Sequence, residues 1–299
     1  MSLLQVLKFH GKTGDTMVVK NYLHTAYANS ADGTDGFTIV YPNLNLLTDS
    51  KDFKNKNVAE SAATTSITSP YSQLLKEGND TYLRFTPVDT GVRDWFRAYM
   101  IRGNSVSPNF PNVDVKPNTQ YTFSVWLKGT GTHQIIAYDK WTNPNPTTLT
   151  VNLTDAWTKY VLTVNTSTTI PTSGAQFFIR SSTVGSEINL KYPKVEPGST
   201  ATPYMPSASE VTTADKPKYI GTYVDTNPTS STEPSKYDWD EMKYRVYLDG
   251  VPVGGSKLLS FDLENLKAGT SYNVQVNQIN GNDESDKSES VAFKTTLTK

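Results

Sequence analysis

Four short stretches of the chain place aromatic rings beside planar polar side chains. In DWFRAYMIR (94–102), Trp95, Arg97, Tyr99 and Ile101 alternate with Asp94, Phe96, Ala98 and Met100. In YTFSVWLK (121–128), Tyr121, Phe123, Val125 and Leu127 alternate with a set that carries Trp126 and Lys128. HQIIAYDKWTNPNP groups Gln134, Ile136, Tyr138 and Lys140 and then sets Trp141 at the head of a proline-bearing loop, and AQFFIRSS groups Gln176, Phe178 and Arg180. An aromatic face stacks on the C–H face of a pyranose, while amides and guanidinium groups bond its hydroxyls. Alternate residues of a strand project together, so these stretches suit saccharide binding. The candidates are Trp95, Arg97, Tyr99, Trp126, Tyr138, Trp141 and Arg180. Each has a packing alternative: Trp126 as a second core layer, Arg97 as cover for a core edge, Trp141 as a staple folded back on a sheet.

Catalytic patterns do not accompany them. The chain has no His-Glu-x-x-His, Gly-x-Ser-x-Gly or phosphate-cradling glycine loop. His10, His24 and His133 are scattered, and structural roles are expected for all three. Paired carboxylates across a cleft would make a glycosidase, and Asp49, Asp52, Asp89, Asp94, Asp139 and Glu187 are available, but most adjoin turns, where Asp serves the backbone. The expectation is a non-enzyme with no cofactor and no metal.

The elements that must position these residues are strands. The 299 residues carry a net charge of −1, no cysteine, and 17 Tyr against 5 Trp. That charge offers no footprint for nucleic acid, and the missing cysteines exclude disulfides and thiolate metal sites. MSLLQVLKF lacks the basic start and cleavage site of a signal peptide. No stretch is apolar for the ~18–20 residues that a membrane span needs. Short alternating runs separated by turn residues recur from 81 to 196, the pattern of an antiparallel sandwich or jelly roll. The organisation expected is an N-terminal docking arm over 1–42, a β-sandwich over 43–206, a Ser/Thr/Pro-rich linker with one short strand over 207–240, and a second small β domain over 241–299. In that last domain Asp249-Gly250 reads as a hairpin turn, and Leu266-x-x-Gly269-Thr270-x-Tyr272 reads as a tyrosine corner. Residues 22–37 and 219–237 echo one another, each a Tyr-led strand entering a polar turn. Convergent composition accounts for this, and mutual packing is the alternative.

Four stretches carry a resemblance. NLNLLTDSKDF (43–53) and NTQYTFSVWLKGTG (118–131) resemble the opening and central strands of galactose-binding-like jelly rolls, a group that includes many carbohydrate-binding modules. LKYPKVEPGSTATPYMPSASE (190–210) looks like the closing strand and exit found in tail and baseplate proteins of phages of lactic acid bacteria. Residues 242–297 resemble the later half of a fibronectin type III domain; either 217–240 supply its missing first strands or the domain is incomplete. The resemblance as a whole is to lactococcal phage baseplate accessory proteins. It implies an all-β virion protein that docks on other baseplate or tail proteins and displays a module for host cell-wall polysaccharide, with no membrane insertion. A purely structural connector without saccharide affinity is the alternative. Where related modules read Asp-Asp-Val near a structural calcium, this chain reads Tyr192-Pro193-Lys194-Val195-Glu196, which weakens the case for a calcium and leaves the question open.

Overall fold

The computed structural model describes residues 3–10, 16–53, 72–85, 94–101, 113–138, 140–181, 186–263, 266–280 and 283–296. The strands are β1 (Leu3–His10), β2 (Thr16–Ala28), β3 (Ser72–Glu77), β4 (Asp80–Phe85), β5 (Asp94–Ile101), β6 (Gln120–Gly129), β7 (Thr132–Tyr138), β8 (Thr147–Asn152), β9 (Thr158–Asn165), β10 (Ala175–Ser181), β11 (Ile188–Pro197), β12 (Tyr219–Asp225), β13 (Asp238–Glu241), β14 (Tyr244–Leu248), β15 (Val251–Ser256), β16 (Ser271–Asn280), β17 (Asp283–Glu284) and β18 (Val291–Lys294). Two compact units result: 43–211, and 1–42 together with 212–299. Among the described residues no helix is long and apolar enough to cross a membrane.

The 43–211 unit is an antiparallel jelly roll of two sheets, ordered β3-β4-β11-β6-β9 and β5-β10-β7-β8. Strand alternation sorts its side chains. Phe123, Val125 and Leu127 of β6 face inward and meet Phe177 and Ile179 of β10, with the Phe123 and Phe177 rings stacked at 4.9 Å. Phe96, Ala98 and Met100 of β5 join the same core, as the alternation of DWFRAYMIR predicts.

The two ends of this unit are clasped together. The Asn45 amide donates to Ser50 Oγ (2.7 Å) and the Pro193 carbonyl (2.8 Å), and its oxygen accepts from the Leu47 and Val195 backbone N–H groups. Pro193 lies where the β11–β6 register slips between Lys191 and Lys194, beside Tyr192 at φ 53°. A bulge tolerates a proline because the extra residue leaves the hydrogen-bond ladder. Beyond the bulge Lys194 and Glu196 are fully buried, 3.3 Å apart. Lys194 Nζ also donates to Thr202 Oγ1 and the Pro203 carbonyl, and Glu196 accepts from Thr202 and Asn43. The exit segment is thereby tied to the sandwich.

In the second unit, the segment read as an arm and the segment read as a linker are neighbouring strands of one sheet, ordered β1-β2-β12-β13. β2 pairs with β12 from Tyr22↔Asp225 to Ala28↔Tyr219, so the two echoing stretches pack on each other. His24 is buried there, stacked on Tyr223 at 4.5 Å; its Nε2–H donates to the Asn227 carbonyl, and Nδ1 bonds Ser230. Trp239 leaves no room for a Cβ at Gly33 (φ 74°) or Gly221, so both glycines are required by its ring. The other sheet runs β15-β14-β16-β17, with β18 also on β16. Arg245 of β14 is buried and bonds Glu284 and the Pro217 carbonyl, while Lys216, Tyr247 and Asn277 converge on the same carboxylate. Burial pushes the Tyr41 phenol up to about 12.

Both units use one local latch. Lys116-Pro-Asn-Thr-Gln-Tyr121 and Lys267-Ala-Gly-Thr-Ser-Tyr272 each turn at a left-handed residue (Asn118, φ 49°; Gly269, φ 66°). In each, the lysine N–H donates to the tyrosine hydroxyl, at 3.0 and 2.9 Å, and the threonine N–H donates to a later threonine hydroxyl. The expected tyrosine corner at Tyr272 is present, and Tyr121 repeats it.

Burial draws the Lys194 ammonium down to about 8, more than the Glu196 carboxylate beside it offsets. The unfolded chain keeps that proton up to the ordinary 10.5. Between these values the unfolded state binds more protons, so this group makes stability rise from pH 8 to 10.5 and lowers it as pH falls back through 8. Denaturant titrations should show that rise in the wild type and not in Lys194→Met. At pH 7 Lys194→Met should cost about 3 kcal/mol, because Glu196 is left buried without its counter-charge.

Candidate functional site

The outward face of the four-stranded sheet gathers most of the predicted residues. On β10, Phe177 and Ile179 point into the core, which sends Gln176, Phe178 and Arg180 outward. Their Cα partners on β7 are Tyr138, Ile136 and Gln134, and Thr148 and Thr150 of β8 continue the rows from Ile136 and Gln134. Phe178 is only 3% exposed and Ile136 5% although both face away from the core, so they form an apolar floor. Tyr138 is 48% exposed and stands edge-on to Phe178 with 5.6 Å between centroids, while the Arg180 guanidinium lies 5.1 Å over the same ring. Among the described side chains of this face Arg180 is the sole charge; the rest are hydroxyls, amides, rings and the aliphatic Ile136.

Gln176 has an unusual position on it. It is 9% exposed, and among the described residues its Oε1 has no hydrogen-bond partner. The indole N–H of Trp141, on the core side of the strand, donates to the Gln176 backbone carbonyl at 3.3 Å.

The other candidates divide. Trp95, Arg97 and Tyr99 lie on β5, where Arg97 is the Cα partner of Phe178 and Tyr99 that of Gln176; their side chains lie outside the described residues. Trp126 belongs to β6 in the opposite sheet, between Lys159 of β9 and Lys191 of β11, so it does not share a surface with Tyr138. Trp141 is not a rim platform. It is fully buried, edge-on to Phe177 at 5.0 Å, because the loop after β7 folds its ring back over the end of the core. His133 is likewise internal: it bonds the Thr130 carbonyl at 2.8 Å, and burial holds its pKa below the usual value. Histidine 10 lies on β1 with its side chain outside the described residues.

Sequence reasoning missed the cluster on the five-stranded sheet. Trp157 packs on Tyr82 and has the Lys128 and Lys191 ammonium groups 4.8 and 4.7 Å from its ring. Its N–H donates to Glu77 (2.8 Å), which Lys128 also bridges, and these two contacts hold the Glu77 carboxyl below its usual range. Lys191 and the Tyr192 hydroxyl both bond Asp80. The polar groups of this surface are committed to one another. Trp157 precedes its strand, where strand alternation carries no information about which way a ring turns. Among the described residues no group of three or more His, Asp or Glu side chains is arranged to hold a metal ion.

Comparison with known proteins adds three likenesses. The family described as "Minor structural protein 5-like, C-terminal domain" matches residues 217–275. A solved structure, the tripod (BppUct-A-L) from the baseplate of bacteriophage Tuc2009, is 49% identical over 95% of this chain and 100% of that one, with a TM-score of 0.70. A family 4 carbohydrate-binding module is 18% identical over 42% of this chain and 78% of that one, with a TM-score of 0.30. No curated protein matches the chain.

The burial of Trp141 has a direct consequence. Trp141→Ala should destabilise the jelly roll by about 3–5 kcal/mol, as aromatic truncations in a packed core do, and chemical denaturation should show this as a shifted midpoint. Trp126→Ala, on a half-buried ring at the surface, should cost much less.

Proposed function

We propose a function from one premise: the chain belongs to the baseplate proteins of lactococcal phages. Its place is accordingly the tail of the virion. Within that assembly, the jelly-roll unit adheres to host cell-wall saccharide through the outward face of β7 and β10, while the chain docks on other baseplate proteins. The observation that carries this reading is Tyr138, half exposed and propped on the buried Phe178 with Gln176 directly across the strand pair. A ring held in place by a rigid floor loses little freedom when a sugar stacks on it. Gln134, Thr148 and Thr150 supply neutral donors and acceptors in the same rows. The single site need not be strong, since many copies on one virion multiply a weak affinity.

The chain reads as a binder and not a hydrolase, in keeping with its likeness to a structural baseplate assembly. A purely structural connector is the second reading. One observation favours it: the matched family domain, 217–275, lies wholly outside the jelly-roll unit.

Tyr138→Ala should weaken binding of the full chain to host cell-wall polysaccharide at least tenfold without lowering its melting temperature. Trp126→Ala, on the opposite sheet, should leave binding unchanged. Loss of binding in the second variant and not the first would move the site to the other face; no binding by the wild type at millimolar ligand would leave the connector. Incubation with host cell wall should release no reducing ends.

A further inference from the structure

Among the described residues of the β7–β10 face, Gln176 is the one whose buried polar atom lacks a partner. Its amide oxygen is buried, and among the described residues it receives no hydrogen bond. A buried acceptor without a donor lowers stability relative to an apolar side chain of similar shape. The Trp141 indole N–H reaches Gln176 from the core side, at its main-chain carbonyl. The side-chain acceptor therefore lies unpaired on the other face, where Tyr138 is the direct cross-strand partner of Gln176.

We infer that Gln176 selects the ligand: its Oε1 accepts a hydroxyl proton from a pyranose stacked on Tyr138. The inference rests on the saccharide-binding reading and adds to it the residue that discriminates. The described side chains around Gln176 are Tyr138, Ile136, Thr148 and Phe178, and the Arg180 guanidinium lies over the same Phe178 ring that Tyr138 meets edge-on. A sugar with no hydroxyl at the position that faces the amide leaves the acceptor unpaired in the complex and is rejected for that reason.

The test uses the full-length chain on an array of neutral mono- and disaccharides of glucose, galactose, rhamnose and N-acetylglucosamine, together with the monodeoxy analogues of whichever sugar binds. The wild type should reject one deoxy analogue about tenfold or more. Gln176→Leu should bind the parent sugar about tenfold more weakly, no longer distinguish it from that analogue, and melt at or above the wild-type temperature, as removal of an unpaired acceptor predicts. Gln176→Glu, which keeps an acceptor in place, should retain the discrimination. If Tyr138→Ala abolishes binding while Gln176→Leu binds and discriminates like the wild type, the inference fails and the saccharide reading stands. If the wild type binds none of the array at millimolar concentration, both fail. A Gln176→Leu variant that melts well below the wild type would also overturn the inference, by showing that the amide serves the fold.

Discussion

The jelly roll depends on the side chain of Asn45. A sandwich whose first and last segments lie side by side must join them, and here one amide makes four hydrogen bonds that do so. Two go to its own loop and two to β11, at Pro193 in the bulge and at Val195 just beyond it. Because β11 sits between β4 and β6 in the five-stranded sheet, fixing its bulge fixes the register of three strands. An amide suits the place because it carries donors and an acceptor on one rigid plane; an Asp there would lose both donations. The buried Lys194–Glu196 pair then seals the exit segment over the same strand, at an electrostatic cost that shows in the lowered pKa of the lysine.

The two outer faces of this unit hold similar residue types and differ in what those residues are doing. On the five-stranded sheet, Trp157, Tyr82 and Tyr192 are enclosed by lysines whose charges are matched by Glu77 and Asp80. On the four-stranded sheet an aromatic ring stands free above an apolar floor and an amide oxygen is unmatched. Composition does not separate a finished surface from an open one; the hydrogen-bond partners do.

That distinction also marks how far the sequence could be read. Alternation in YTFSVWLK and DWFRAYMIR placed Phe123, Val125, Phe96 and Met100 in the core correctly, since in and out are properties of a single strand. Sheet membership is not. β5, β7 and β10 share one sheet and β6 belongs to the other because of pairings between distant segments, so Trp126 was grouped with residues on the far side of the sandwich. Trp141 was legible as a large ring on a loop, but its direction depends on the space beside Phe177. The tyrosine corner at 267–272 was visible because every part of it lies within six residues, and its twin at 116–121 has the same local spelling. The pairing of 22–28 with 219–225 left only an echo, too weak to choose between shared composition and contact.

That last pairing has a consequence for synthesis. Ala28 meets Tyr219, and the entire jelly roll is encoded between them. As the chain leaves the ribosome, β2 emerges early and can pair at once with β1 on one side, but its other edge has no partner until the jelly roll has been made. Domains tend to fold as units in the order of their emergence, so the jelly roll closes first, as an insertion between two halves of a unit that is still waiting. An open strand edge is a template for wrong pairing. The unpaired edge of β2 is therefore a nascent-chain hazard as well as a structural seam.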